Sequence, residues 1–324
     1  MPPTRIILDT DLSMGAGADV DDGFALALAH ADPQLQLDMV TTVNGNTDVE
    51  SATILTGVLM DRLGISAAET PLYKGAATPL MHTDVKRTVA PHVEALRATA
   101  RPPVPGRYAA HAMVEHVMAH PGEITLVCIG PLTNVALALV MEPRLASNVR
   151  ELVIMGGVFF GTMYSWNKPG EFNVFTDPEA ARAVLRSGAP QRWIGLDVTL
   201  QVRMTTDDAD ALKAVEDEKS FSRFAGEAAA TYIAYQMQRF PGRVPRMTSV
   251  PMHDPLAVAV VARPELCDYK ELAVNIETGE GVARGVMVCD RQEIPNPPAP
   301  NCSVAVSVDA DGFRERFLSF IKGL

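Results

Sequence analysis

Cysteine is scarce in this 324-residue chain: Cys128, Cys267, Cys289 and Cys302 are the whole supply, and no two form a Cys-x-x-Cys pair. The length excludes a disulfide-stapled miniprotein. Three of the four sit in apolar or β-like runs, where buried thiols are expected. Basic residues are few as well. Lys plus Arg total 28 against 39 Asp plus Glu, a net charge of -11. That balance argues against a nucleic-acid polymer or an anionic membrane as main partner and leaves a cation open. No uncharged apolar run approaches the roughly 20 residues that cross a bilayer, and the N-terminus lacks a basic segment followed by an apolar one. The expectation is a soluble, cytoplasmic protein, in which the glycosylation pattern Asn301-Cys302-Ser303 is incidental. Internal repeats and low-complexity tracts are missing too. With 47% apolar and 21% charged residues, the composition is that of a globular chain rather than a disordered one.

What is present is an alternation of short β-rich runs with helical patterns. Strands are expected at 5–8, 37–43, 124–129, 152–155 and 193–196, and helices at 22–31, 49–63 and 132–141. A further helix carries Asp177 as N-cap and Pro178 at its first position. Such alternation predicts βαβ units: an α/β fold with an open, mostly parallel Rossmann-like sheet flanked by helices. Residues 207–238 read as one helix capped by Thr205 or Thr206, within a helical subregion around 207–262. Its aromatics Phe221, Phe224, Tyr232 and Tyr235 read as core packing. The segment 78–106, with five prolines, reads as a long surface loop near the site or a lid. β-like runs near 271–277, 285–289 and 303–308 precede a last helix at 312–321. No domain boundary is visible, so 1–324 reads as one domain.

In an open parallel sheet the loops at the carboxyl ends of the strands line the ligand crevice. Those ends carry Asp9-Thr10-Asp11, Asn44-Gly45-Asn46, Gly130-Pro131, Met155-Gly156-Gly157 and Asp197. The densest signal is Asp9-Thr10-Asp11 followed by Asp19 and then Asp21-Asp22. Two unit charges 4 Å apart repel by about 4 kcal/mol at an effective dielectric near 20. Carboxylates converging at one strand end therefore protonate, splay into water or bind a cation, and oxygen-only ligands favour Ca²⁺ or Mg²⁺ over zinc. Taken alone, Asp21 and Asp22 are equally well explained as acids at a helix start. His253-Asp254-Pro255 opens another apolar helix and can supply one more ligand and a titratable group. Glu171 and Asn173, two residues apart in a Gly-rich loop, suit vicinal hydroxyls if they share one face of an extended segment.

At these residues the sequence resembles the inosine-uridine nucleoside hydrolase family, which cleaves the N-glycosidic bond of ribonucleosides to free base and ribose. The resemblance runs over nearly the whole chain. It rests on Ile6-Ile7-Leu8-Asp9-Thr10-Asp11, Asp21-Asp22, Gly45-Asn46, Gly130-Pro131-Leu132-Thr133-Asn134, Met155-Gly156-Gly157, Glu171-Phe172-Asn173, Asp177-Pro178-Glu179-Ala180-Ala181 and His253-Asp254-Pro255. The resemblance implies a Ca²⁺ held by Asp11, Asp22, Asp254 and the backbone carbonyl of Ile129. It implies that Asp21, Asn46, Glu171 and Asn173 hold ribose hydroxyls, with Met155 near the sugar. Asp11 would act as base on a calcium-bound water, and His253 would protonate the leaving base. A role in purine or pyrimidine salvage and a homodimer or homotetramer follow from the same resemblance.

Three departures stand out. The loop between the carboxylate pairs is longer by about six residues, 13–18 being the insert. The His-Gly and Gly-Leu-Gly signature after the third strand is missing, and His82 and His92 are the histidines of that region. Ser165 stands where an asparagine is expected, which makes Asn167 the nearest amide and a candidate for substrate binding. A dehalogenase-like phosphatase would share Asp9-Thr10-Asp11 but lacks an explanation for His253-Asp254 and Glu171-Phe172-Asn173. A non-catalytic nucleoside or sugar-binding protein retaining the cation site is the alternative from another class.

Overall fold

The computed structural model describes residues 2–13, 19–81, 89–161, 164–165, 168–217, 220–239, 248–290 and 296–324. Eight strands form the central sheet: β1 (Thr4–Thr10), β2 (Leu35–Thr42), β3 (Leu72–Lys74), β4 (Ile124–Cys128), β5 (Glu151–Met155), β6 (Gln191–Ile194), β7 (Cys267–Leu272) and β8 (Cys302–Val308). Their order across the sheet is β7-β8-β6-β5-β4-β1-β2-β3. All neighbouring pairs are parallel except β7 with β8, which makes β7 an antiparallel edge. The chain builds outward from β1 in one direction through β2 and β3, then returns to the other side of β1 with β4. The crevice of such a sheet opens where the order reverses, between β1 and β4.

Besides short helical turns, the helices are α1 (Asp21–Ala31), α2 (Val49–Arg62), α3 (Ala109–Ala119), α4 (Thr133–Met141), α5 (Phe172–Thr176), α6 (Pro178–Leu185), α7 (Thr206–Lys213), α8 (Phe221–Arg239), α9 (His253–Ala262) and α10 (Ala310–Lys322). Period-two alternation along the strands divides the core in two. Ile6, Leu8, Val127, Ile129 and Val153 face the side packed by α1, α8, α9 and α10. Ile7, Leu126, Cys128, Leu152 and Ile154 face the side packed by α3, α4 and α6. Burial on both faces is why β1 and β4 read as nearly unbroken apolar runs. Cys128, Cys267 and Cys302 are buried thiols, as expected. No helix among the described residues is long and apolar enough to cross a membrane.

Three expectations change. The single helix at 207–238 is two, α7 and α8, with Thr205 closing a capping box against Asp208 at the start of α7. Its aromatics do pack into the core: Phe221 and Tyr232 are buried, and Phe224 and Tyr235 lie against the same cluster. The region between α2 and β4 carries two elements not foreseen, β3 and α3. β3 is three residues long, too short to show a period, and α3 buries mostly alanine, whose weak hydropathy hides the stripe. The proline-rich segment holds a short helix at Pro91–Glu94 with His92 exposed, while 82–88 lies outside the described residues.

A hairpin, Val274–Ile276 with Met287–Cys289, docks beside α5. Gly285 has φ 83°, and a Cβ there would come within 2.8 Å of Phe175 Cα; opposite it, a Cβ on Gly170 would meet the Gly285 carbonyl at 2.9 Å. Backbone therefore meets backbone next to Glu171. Gly285→Ala should lower stability in urea unfolding by about 1–3 kcal/mol. Gly281→Ala, with open space around it, should leave stability nearly unchanged, and equal effects would remove the docking argument.

At the far end of the sheet Asp38 joins β1, β2 and α3. Arg5 Nε donates to its carboxylate at 2.8 Å and His116 Nε2 lies at 2.7 Å. Burial raises the Asp38 pKa, but the hydrogen bonds and charges of His116 and Arg5 outweigh it and hold the carboxyl below its ordinary value. A depressed folded pKa contributes stability that is present above the unfolded value near 3.9 and fades as pH falls through the folded one. Asp38→Asn should therefore destabilise by about 1–3 kcal/mol at pH 7. The gap to wild type should close below about pH 4 in pH-resolved denaturant titrations.

Candidate active site

The site grows from the carboxyl end of β1. Ile129 N–H donates to Asp9 O at 2.8 Å, so β4 ends level with β1. Asp9 is turned into the structure: its Oδ1 accepts from Thr41 Oγ1 at 2.6 Å and from Asn134 Nδ2 at 2.8 Å. Burial pushes it up to about 7. Asn134 also donates to the Thr42 carbonyl and accepts from Ala76 N–H. Thr133 Oγ1 donates to Asp177, which caps α6 and accepts from Leu80 N–H. These motif residues tie the loops together behind the site.

Asp11 stands at the bottom of the crevice, fully buried. Its Oδ2 accepts from Asn46 N–H at 2.6 Å, while Oδ1 finds no donor among the described residues. Gly45 is required beside it, because a Cβ at that position would reach Asp11 Oδ2 at 2.0 Å. Asp22 accepts from Thr10 Oγ1 at 2.5 Å and from Asn46 Nδ2 at 3.1 Å. Asp21 Oδ2 accepts from Asp254 N–H at 3.3 Å.

Asp21 and Asp22 form the first turn of α1, and Asp254 the first turn of α9. Two helix N-termini are thus aimed at the acids, which favours negative charge there. Oxygens of Asp21, Asp22 and Asp254 all lie within 4.8 Å of one another. Burial, followed by the mutual repulsion of Asp22 and its neighbours, raises Asp11 well above the ordinary carboxylate range. Asp21 is raised by burial and then by the charges of Asp19 and Asp22, Asp254 by burial and then by the charges of Asp21 and Asp22, and Asp22 is pushed up to about 7 by burial. Such a set holds protons or a cation at neutral pH.

Above these acids opens a cavity of about 350 Å³ lined by Asp21, Asn46, Ile129, Met155, Glu171, Asn173, His253 and Asp254. Asp11 and Asp22 lie beneath it and are not part of its wall. Glu171 and Asn173 meet as expected, but not on an extended segment. Glu171 is the N-cap of α5 and accepts from Asn173 N–H at 2.7 Å, Val174 N–H at 3.0 Å and Gly157 N–H at 3.2 Å. Burial raises its pKa against the pull of those donors. Asn173 Nδ2 reaches the Ile129 carbonyl at 2.9 Å and lies 3.6 Å from Met155 Sδ. His253 Nδ1 lies 2.7 Å from Thr199 Oγ1. Burial pushes its pKa down to about 4, although the Asp19 charge opposes this.

Asn167, His82 and most of the insert 13–18 lie outside the described residues; Ser13 alone is described and is buried. Asp19, Phe172, Leu196 and Leu200 also line the cavity and were not singled out as site residues. For Asp19 the signal was available in its spacing to Asp21; the leucines, as ordinary apolar residues, gave none. A larger groove, about 760 Å³, lies at the other end of the sheet around Arg186, Arg192 and Ser303. There Arg192 is paired with Glu151 through two 2.8 Å hydrogen bonds. It opens at the amino ends of β5, β6 and β8, away from the crevice where such sheets bind ligands.

Residues 6–315 match the family described as inosine-uridine preferring nucleoside hydrolase. The chain is 36% identical over 317 residues to the non-specific ribonucleoside hydrolase RihC of Salmonella enteritidis PT4, covering 96% of this chain and 95% of the relative. RihC of Salmonella typhi is 35% identical over the same shares. Two solved structures are similar along nearly the full length. The plant nucleoside hydrolase PpNRh1 has a TM-score of 0.82 at 28% identity, covering 99% of this chain and 98% of that one. The purine-preferring ribonucleoside hydrolase from Gardnerella vaginalis has a TM-score of 0.81 at 27% identity, with the same coverage. With the family match spanning both the sheet and every acid of the crevice, the chain belongs to the inosine-uridine preferring nucleoside hydrolase family.

Proposed function

We propose that the protein hydrolyses the N-glycosidic bond of ribonucleosides with a Ca²⁺ held by Asp11, Asp22, Asp254 and the Ile129 carbonyl. The observation that carries this reading is the buried acid cluster under a polar cavity, with Asp11 Oδ1 lacking a donor among the described residues. An all-oxygen donor set of this charge suits a hard cation. Asp21 is as close to Asp22 and Asp254 as a ligand would be, but it lines the open cavity, whereas Asp11 and Asp22 are sealed below it. A place in the cavity wall suits Asp21 to the sugar, while Asp11, with one oxygen lacking a donor among the described residues, suits the cation.

When bound, the cation supplies positive charge that orients vicinal hydroxyls and makes water a better acid. Asp21, Asn46, Glu171 and Asn173 hold the ribose, with Met155 packed against it. Asp11 takes the proton of the attacking water. The sugar becomes oxocarbenium-like as the bond breaks, a charge that the surrounding carboxylates favour. His253 faces the departing base. With its pKa near 4 the ring is neutral at pH 7. When Thr199 donates to Nδ1, the ring proton sits on Nε2, which then gives a hydrogen bond to the nitrogen gaining negative charge. A hydrogen bond of this kind to developing charge contributes roughly 10²–10³-fold.

Thorough chelation should abolish release of ribose from nucleosides, and added Ca²⁺ should restore it. Reducing-sugar assays that detect full activity after chelation would remove the cation from the reading. Absence of ribose release from every nucleoside, with retained nucleoside binding, would favour a non-catalytic binding protein. His253→Ala should depress inosine or uridine cleavage by about 10²-fold or more and cleavage of 4-nitrophenyl riboside far less, because nitrophenolate leaves without a proton. Equal losses on both substrates would give His253 a structural role instead.

A further inference from the structure

Among the described residues the His253 ring makes one hydrogen bond, between its Nδ1 and Thr199 Oγ1 at 2.7 Å. The direction of that bond decides what the ring can offer the cavity that His253 lines. A threonine hydroxyl has one proton to donate and two lone pairs with which to accept. Thr199 is fully buried, and among the described residues His253 Nδ1 is the one partner of its hydroxyl. If Nδ1 carried a proton, it would point at Oγ1 and leave the Thr199 proton buried without an acceptor. Native structures rarely leave a buried donor in that state. With the hydroxyl donating, both atoms are satisfied. The ring proton then sits on Nε2, the nitrogen left for the cavity.

Backbone holds the two residues opposite each other. Thr199 ends the turn Leu196–Thr199, which is pinned to the loop after β5. Leu196 N–H donates to the Gly157 carbonyl at 2.9 Å, and Phe159 and Phe160 N–H donate to the Asp197 carboxylate at 2.8 and 3.1 Å. Beyond the turn, Arg203–Thr205 pairs antiparallel with Ser249–Pro251, and Met252 N–H donates to the Val202 carbonyl at 2.9 Å. The chain leaving Thr199 is thereby zipped to the chain entering His253. A hydroxyl fixed in this way selects the orientation of the ring as well as its tautomer.

We propose that Thr199 is the positioning residue of His253: its hydroxyl donates to Nδ1, fixes the plane of the ring and keeps the ring proton on Nε2, where the departing base receives a hydrogen bond. The inference rests on the hydrolase reading above and names the group that prepares His253 for its part in it.

The test uses the full-length Ca²⁺-loaded protein and compares kcat/KM for inosine and 4-nitrophenyl riboside. The variants are Thr199→Val, Thr199→Ser, His253→Ala and the double variant of Thr199→Val with His253→Ala, with melting temperatures to confirm folding. Thr199→Val, near-isosteric but without the hydroxyl, should lower inosine cleavage by about tenfold or more and leave nitrophenyl riboside cleavage nearly unchanged. Thr199→Ser should retain most of the inosine activity, and Thr199→Val should cost nothing further once His253 is alanine. Equal losses on both substrates, or an undiminished loss in the His253→Ala background, overturn the proposal. Nitrogen-15 spectra of histidine-labelled wild type read the tautomer directly, the His253 signals being those that vanish in His253→Ala. A proton on Nε2 and none on Nδ1 is expected; a proton on Nδ1 overturns the proposal whether or not the valine variant folds. Absence of nucleoside cleavage by wild type overturns the hydrolase reading and the use of His253 in it, while the spectra still decide the direction of the Thr199 bond.

Discussion

The structure depends on keeping Asp11, Asp21, Asp22 and Asp254 close together out of water. Each is almost fully buried, and each is shifted toward its protonated form by burial and by its neighbours. Like charges so placed are held only by compensation. Part comes from the Asp254 N–H at the start of α9, part from the Thr10 hydroxyl and from the backbone and side chain of Asn46. Beyond these donors the cluster could hold a metal ion, and Asp11 Oδ1 has no donor among the described residues.

The sheet makes that concentration of charge possible. β1 and β4 are adjacent, so their carboxyl ends bring Asp11 and the Ile129 carbonyl to the same place. α1 follows β1 directly and packs against α9, which carries His253 and Asp254 across more than two hundred residues of chain. Glu171 adds a third helix start, its carboxylate bound by three backbone N–H groups. The cap fixes the orientation of that carboxylate in the cavity wall. The Gly170–Gly285 approach anchors its loop from behind.

Much of this was legible from residue order. Strand–helix alternation announced the parallel sheet because strands buried on both faces must be apolar throughout, as β1 and β4 are. The acids were legible because Asp9-Thr10-Asp11 and Asp21-Asp22 are too dense to be indifferent surface charge. His253-Asp254-Pro255 was legible as a helix opening with chemistry in it. What escaped has a common cause. β3 is too short to display a period, α3 hides its stripe in alanine, and the division of 207–238 into α7 and α8 depends on how Thr205 and Asp208 cap one end. Glu171 and Asn173 were placed together correctly but in the wrong backbone state, since an acid can cap a helix as readily as line a strand.

By itself the sequence determined the parallel α/β plan and the supply of carboxylates at the strand ends, because periodicity and charge density are local properties. Only the tertiary structure decided which acids meet the cavity and which are covered. Asp11 and Asp22 are sealed below the cavity while Asp21 opens into it, although all three sit in the same stretch of chain. Burial is set by what packs above a residue, and here that cover comes from Asn46, α9 and the Ile129 loop. Asp19 is the sharpest case. In the sequence it is one more acid in a loop of small residues. Its place in one cavity wall with His253, Leu196 and Leu200 exists only once α9 and the 196–200 turn have folded around that cavity.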